Sequence, residues 1–377
     1  MIATLFFMSV ILIIYAYFGY PFSLMMLSII SKKDVFKDEI YPSITMIITA
    51  FNEEKRIKEK IENTLKLEYP KNKLQVIVAS DGSTDDTDQI ISQYINQGIK
   101  LLRVNERKGK ENAQKEALKE SKGEIIIFSD VATMIHSDGI KKIISNFADP
   151  TVGCVSSEDR LIGRNGQQAG EGIYVKYEMW LRRLESRVNS LVGLSGSFFA
   201  ARRDVCRDFS ADMQSDFRTV LNSVKLGLRG VCDPETVGYY EDLADEKREF
   251  DRKVRTVIRG LTVFFRHLEF LNPSVYGLFS YQYFCHKLLR WLIPFFLIIA
   301  FLTNAILALY SFGYLVLFEG QVIFYSIAIF VRLTHFKVEN TLLKVPVYFS
   351  TVNLSILVAW WKYINGQRVV MWAPSER

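Results

Sequence analysis

Short apolar runs alternate with amphipathic stretches through the N-terminal part of the chain. Ile44–Ile48, Val76–Ala79 and Ile125–Phe128 are dense in branched and aromatic residues, which predicts parallel strands buried on both faces. Glu54–Leu67, Thr84–Gln97 and Lys110–Ser121 carry helical patterns, with Ser83 placed as the N-cap of the second. Strand followed by helix, repeated, predicts a doubly wound α/β sheet. Much longer apolar runs lie at the two ends. Ile2–Ile30 and Trp291–Phe318 contain no charged residue and are long enough to cross a bilayer. Gly320–Val331 is cut short by Arg332, and Val345–Trp361 is just long enough between Lys344 and Lys362, so each reads either as a span or as a buried or re-entrant segment.

Each predicted strand runs directly into an acidic turn: Asn52-Glu53-Glu54, Asp81-Gly82-Ser83 and Ser129-Asp130. All of these acids therefore fall at strand carboxyl ends, the edge of an α/β sheet where ligands bind. Carboxylates gathered there repel a bare diphosphate but suit one carried on a divalent cation, and they accept hydrogen bonds from ribose or base. An Asp-Gly-Ser-Thr turn alone marks only a loop entering a helix. The coincidence of three such turns points to a nucleotide diphosphate.

Composition sharpens the picture at the ends of the chain. Of 377 residues, 49% are hydrophobic and 23% charged, and the hydrophobic excess is terminal. The N-terminal run has no basic segment before it and no small-residue cleavage site, so it reads as a retained anchor. Lys32, Lys33 and Lys37 follow it, which by the positive-inside rule predicts a central domain in the cytosol; the expected setting is a bacterial-type inner membrane, with the chain an integral protein. Pro273–Arg290 mixes Tyr276, Phe279, Tyr281, Tyr283 and Phe284 with His286, Lys287 and Arg290, as an interfacial helix would. The expected organisation is an anchor over 1–31, a catalytic domain over 42–265, an interfacial helix over 273–290 and membrane segments over 291–365. Three full spans after a cytosolic domain would put the C-terminus outside, whereas Arg332, Lys337, Lys344, Lys362 and Arg368 favour the cytosolic side. Cys154, Cys206, Cys232 and Cys285 show no CxxC spacing, which argues against zinc or a disulfide framework. The net charge of +6 sits partly on the membrane flanks and on Lys247–Arg259, which suits membrane lipid and ligand phosphate rather than nucleic acid.

The run Ile48-Thr-Ala-Phe-Asn-Glu-Glu54, then Val76-Ile-Val-Ala-Ser-Asp-Gly-Ser-Thr-Asp85 and Gly123-Glu-Ile-Ile-Ile-Phe-Ser-Asp130, resembles the nucleotide-binding half of the family 2 glycosyltransferases, membrane-anchored relatives of cellulose and hyaluronan synthases. Gly193-Leu-Ser-Gly-Ser-Phe-Phe-Ala-Ala-Arg-Arg203, Gln214-Ser-Asp-Phe217 and Glu249-Phe-Asp-Arg-Lys-Val-Arg255 continue the likeness. It implies a Rossmann-like GT-A domain between N- and C-terminal transmembrane helices, and an inverting sugar transfer. Asn52, Glu53 and Asp81 match positions that meet the base and ribose, and Lys110 matches a lysine near the nucleotide, although a solvated lysine reads equally well. Asp130 matches the first acid of the Asp-x-Asp motif that holds Mg2+ or Mn2+; the second is Ala132 here. Asp216 matches the catalytic base, with Ser215 replacing the acid that normally precedes it and Asp212 as its nearest rival. Val192–Phe198 has the small residues expected where backbone passes close to a sugar, or where packing is tight.

In the processive synthases a Gln-x-x-Arg-Trp motif follows the base, and this chain reads Arg252-Lys-Val-Arg255-Thr256. Arg255 keeps the guanidinium that meets a diphosphate, and Arg252 either joins it or lies on anionic lipid. The stacking Trp is gone, unless an aromatic such as Trp180 replaces it. The resemblance thus implies an enzyme that moves a sugar from a nucleotide-diphosphate donor to a glycan or lipid-linked acceptor at the cytosolic face, in cell-surface polysaccharide or glycolipid synthesis. The alternatives are a processive polysaccharide synthase and an inactive nucleotide-binding scaffold, the latter suggested by Ala132 and Ser215.

Overall fold

The apolar runs become strands for the reason the pattern gives. β1 (Ile44–Ala50) is buried at all seven positions, and β2 (Leu74–Ser80) at its last five. With β3 (Ile99–Arg103), β4 (Ile125–Asp130), β5 (Met134–Ile135), β6 (Val152–Ile162), β7 (Phe198–Arg202) and β8 (Arg229–Glu241) they form one sheet of order β3-β2-β1-β4-β7-β6-β8-β5. β1 pairs in parallel with β2 and β4, while β7 runs antiparallel to β4 and β6. The register sets Ala50 beside Ser80 and Thr49 beside Asp130, so the ends of β1, β2 and β4 open on one edge. Gly123 permits that pairing, because a Cβ there would lie 2.3 Å from the Thr45 nitrogen. On β4 and β7, Phe128 and Phe199 stack at 4.6 Å, a contact worth about 0.5–1.5 kcal/mol beyond area burial.

The computed structural model describes residues 1–162, 173–241, 246–334 and 340–369. They fall into two units. The sheet unit comprises Leu24–Ala244, Phe265–Ser280 and Val369–Arg377; the helical unit comprises Met1–Ser23, Asp245–Phe264 and Tyr281–Arg368.

Around the sheet, helices start later than their sequence patterns suggest. Ile57–Leu65 and Thr87–Ser92 begin three residues inside the predicted segments, while Lys110–Lys119 begins where expected. Ser83 does not cap the second of these helices. Its hydroxyl oxygen accepts the Asn52 N–H at 3.2 Å and a bond from the Ser80 hydroxyl at 3.0 Å, and the Asp85 carboxylate receives the Thr87 N–H at 3.1 Å instead. Tertiary contacts between two strand ends thus take a residue whose local pattern marks it as a cap.

Among the described residues, four helices are long and apolar enough to cross a membrane by length and composition: Ile2–Ile30, Leu278–Leu307, Phe312–Thr334 and Leu343–Ile364. The apolar run Trp291–Phe318 is not one span. A turn over Ala308–Ser311 divides it, and its last residues open a second helix that also takes in Gly320–Val331. Buried Asn304 and half-buried Gln321, hydrogen bonded at 2.9 Å, tie the two helices together. Within the helical unit, Glu246–Arg266 is amphipathic and buries Val254, Ile258, Leu261 and Phe264. A short helix over Pro273–Tyr276 ends at Gly277, whose φ is +53°, before the long apolar helix begins at Leu278.

Candidate active site

The turn after β1 is held from the side of β2. Asn52 has φ +51°, and is the one non-glycine residue at positive φ among the described residues. Its side-chain oxygen accepts the Thr84 N–H at 2.9 Å, and the Glu53 N–H donates to the Thr87 hydroxyl at 2.7 Å. The Glu53 carboxylate is buried against the Arg56 guanidinium at 2.6 Å. Burial pushes this carboxyl up from its usual pKa, Arg56 pulls it down, and the nearby carboxylates of Asp130 and Asp85 add to the rise.

Asp81, fully buried after β2, accepts the backbone N–H groups of Lys108 at 3.0 Å and Gly109 at 2.8 Å, one on each carboxylate oxygen. Charge-assisted bonds of this kind are among the stronger ones. They fix the loop that delivers Lys110 as the first residue of its helix. The Lys110 ammonium forms an ion pair with Asp130 and donates to the Gly196 carbonyl at 2.9 Å.

Gly196 lies between the Lys110 ammonium and Asp216. A Cβ on it would lie 2.9 Å from Oδ2 of Asp216, so its backbone rests directly against that carboxylate. On either side, the hydroxyls of Ser195 and Ser197 donate to one oxygen of Asp159 at 2.6 and 2.7 Å, and the Ser197 carbonyl accepts the Asp130 N–H at 2.9 Å. Asp216 itself sits in the first turn of Ser215–Lys225, accepting from the Gln214 amide at 3.0 Å and from the Phe217 N–H at 2.9 Å. Its rival Asp212 is bound to the Ser210 hydroxyl and the Arg266 guanidinium, which together hold its carboxyl below the usual range. A carboxylate so stabilised is the weaker base.

Asn52, Glu53, Asp81, Lys110, Asp130 and Asp216 are thus linked within the sheet unit by an unbroken set of contacts. Arg252 and Arg255 lie in the helical unit, on Glu246–Arg266. Arg252 is bidentate to Glu249, at 2.6 and 2.8 Å. Burial lowers the Arg255 guanidinium from its ordinary value, and repulsion from Arg259 and Arg252 adds to the shift. Among the described residues no group of three or more His, Cys, Asp and Glu side chains is placed to hold a metal. Asp130 supplies one carboxylate, and hard cations such as Mg2+ are commonly held by one or two carboxylates with phosphate oxygens and water, so the residues fit on those terms.

Sequence reasoning missed Asp159, Arg182 and Lys60. Partial burial would lower the Arg182 guanidinium, but Glu178, Asp159 and Asp216 are among the groups that hold it above its usual value. Nothing in the helical pattern around Arg182 marked it. Lys60 did carry a signal, since Ile57, Lys60, Ile61 and Thr64 form the inward stripe of their helix.

Residues 45–209 match the family described as Glycosyl transferase family 2. The matched stretch is a glycosyl transferase family 2 domain. Among curated proteins, the chain is 26% identical over 232 residues to poly-beta-1,6-N-acetyl-D-glucosamine synthase of Staphylococcus aureus, covering 59% of this chain and 55% of that protein. The counterpart from Staphylococcus epidermidis is 25% identical over 213 residues, covering 52% of this chain and 51% of the other. The chain therefore spans about half the length of the curated relatives it matches. Among solved structures, the mannosyltransferase PcManGT from Pyrobaculum calidifontis, in complex with GDP-Man and Mn2+, superposes with a TM-score of 0.74 at 20% identity, covering 97% of this chain and all of that one. The fold is of the GT-A type, an α/β domain accompanied by apolar helices near both termini.

Proposed function

We propose that the chain is an inverting, membrane-anchored glycosyltransferase that moves one sugar from a nucleotide-diphosphate donor to a glycan or lipid-linked acceptor at the cytosolic face, in cell-surface polysaccharide or glycolipid synthesis. The observation that carries this reading is the pair Asp130 and Asp216 on the two sides of Gly196, one linked to it through Lys110 and the other in contact with it. Transfer requires a stabilised diphosphate leaving group and a deprotonated acceptor hydroxyl held in line with it. Asp216 takes the acceptor proton. Lys110 meets the diphosphate, and Asn52, Glu53 and Asp81 receive base and ribose, Asp81 with the lone pairs that Lys108 and Gly109 leave free. Asp130 would hold Mg2+ or Mn2+, which neutralises charge on the departing diphosphate when bound. Arg255, with Arg252, carries the guanidinium chemistry suited to a diphosphate. Lys32 and Lys33, directly after the first apolar helix, support a cytosolic catalytic domain and contact with membrane lipid.

A processive synthase is the second reading, favoured because the curated relatives are polymer synthases. Against it stands Thr256, exposed and bonded to its own helix through the Arg252 carbonyl at 2.9 Å, where a stacking Trp would be needed. The deciding experiment supplies membranes from an expressing host with a panel of donor sugars and follows nucleotide release and product length. Transfer of one or a few residues per acceptor is expected. Long polymer beside untouched acceptor would establish the second reading, and nucleotide binding without transfer from any donor would leave an inactive scaffold.

A further inference from the structure

Lys60 is fully buried, in a stripe where an aliphatic residue is the default. Taking an ammonium out of water costs several kcal/mol unless its hydrogen bonds are met. Here they are met at both ends of one turn. The Lys60 Nζ donates to the Ser129 hydroxyl at 2.8 Å, just before Asp130, and to the Thr133 carbonyl just after it. Inside that turn the Thr133 N–H donates back to the Asp130 carbonyl at 3.2 Å. The ion-pair partner of Asp130 is Lys110, so Lys60 acts on the acid through its backbone.

We infer that Lys60 is a positioning residue that clamps the Asp130 turn from behind, fixing the one carboxylate left to the cation site where Ala132 supplies no second ligand. The inference rests on the metal-assisted reading of the site. Burial pushes the Lys60 amine down to about 7, opposed by Asp130. Protonated or neutral, an amine keeps at least two N–H donors, so the clamp survives the change of charge.

The test uses the full chain and Lys60→Met, which keeps the aliphatic stem and removes the amine. In the metal-free protein, hydrogen exchange should quicken at the amides of residues 130–133 while the rest of the sheet keeps its protection. Titration of Mn2+ in the presence of GDP, and separately UDP, should show half-saturation rising about tenfold or more, the usual cost of losing an outer-shell partner. The sign matters, because a purely electrostatic lysine would predict tighter Mn2+ once its charge is gone. Unchanged or tighter Mn2+ binding, or exchange that quickens evenly across the sheet, overturns the inference. Should Lys60→Met fail to fold, Ser129→Ala removes one acceptor only; a smaller rise in half-saturation supports the clamp, and wild-type behaviour refutes it. Failure of the wild type to bind Mn2+ with either nucleotide, or to transfer sugar, would instead bring down the metal-assisted reading itself.

Discussion

The two halves of the strand-edge site use their acids differently. After β1 and β2, the polar groups are already engaged: Asp81 grips two backbone N–H groups, Asn52 is laced to Thr84, and Glu53 is buried on Arg56. Beyond β4, the Asp130 carboxylate pairs with the Lys110 ammonium, and the Asp216 carboxylate accepts short-range bonds from its own helix start. The first half is built as a rigid wall and the second as chemistry. Acids at equivalent strand ends therefore need not share a task, and the partners each one has already acquired tell them apart.

The hardest blow to the reactive half is Asp216→Asn, which keeps size and most hydrogen bonding but removes basicity. Turnover should fall by roughly a hundredfold or more while donor affinity stays near wild type. Asp212→Asn should cost little, since that carboxylate is committed to Arg266. The opposite ranking in steady-state kinetics would move the base.

Lys60 ties the halves together, from a helix after β1 to the turn after β4, and its burial has a pH signature. The folded pKa of about 7 lies below the unfolded 10.5, so the unfolded chain binds more protons between those values and the lysine's contribution to stability rises with pH there. That contribution is complete above the unfolded value, is lost as pH falls toward 7, and is flat below. The difference in unfolding free energy between wild type and Lys60→Met should climb by up to about 1.4 kcal/mol per pH unit from 7 to 10. A pH-independent difference would mean that the amine is solvated.

Gly196→Ala probes the contact between the Ser195–Ser197 segment and the base. Its new methyl would press on the Asp216 carboxylate, whose Oδ2 is 2.9 Å from the ideal Cβ, so turnover should drop about tenfold through misplacement with the melting temperature little changed. Equal turnover would show that the base has room to move.

Asp81→Asn addresses the wall. One amide oxygen cannot replace two carboxylate oxygens facing two N–H donors, and the amide nitrogen would confront one of them. Chemical denaturation should register a loss of about 1–3 kcal/mol, with donor KM affected more than kcat. Unaltered stability would mean that the two N–H contacts carry no weight and that the two halves differ less than their contacts indicate.

How much of this was legible in the sequence follows the same division. The strands were, because β1, β2 and β4 are buried on both faces and their composition says so. The acids were located correctly at the strand ends, since position depends on local pattern and topology alone. Their partners were not. Ser83 looked like a cap because its contact with Asn52 comes from a residue distant in sequence, and Asp81's hold on Gly109 is invisible for the same reason. Lys60 could have been found, as a lysine inside an otherwise inward stripe. Gly196 was visible as a small residue near a ligand or a tight contact, yet nothing local names Asp216 as its neighbour. The break at Ala308–Ser311 escaped because an apolar run has no internal punctuation when the turn is stabilised by helix pairing through Asn304 and Gln321.

The smallest effect is expected at Ala132, the position where the reactive half lacks a ligand. Its side chain offers no oxygen, so the cation site cannot depend on it, and Ala132→Ser adds a neutral hydroxyl at a partly exposed position. Stability should stay within about 0.5 kcal/mol, as for surface substitutions away from special features. Half-saturation by Mn2+ should hold within about twofold, because a hydroxyl is a poor substitute for a carboxylate on a hard cation. A large tightening would reveal that residue 132 points at the metal after all, and that Asp130 shares its role with a neighbouring position rather than bearing it through the clamp behind it.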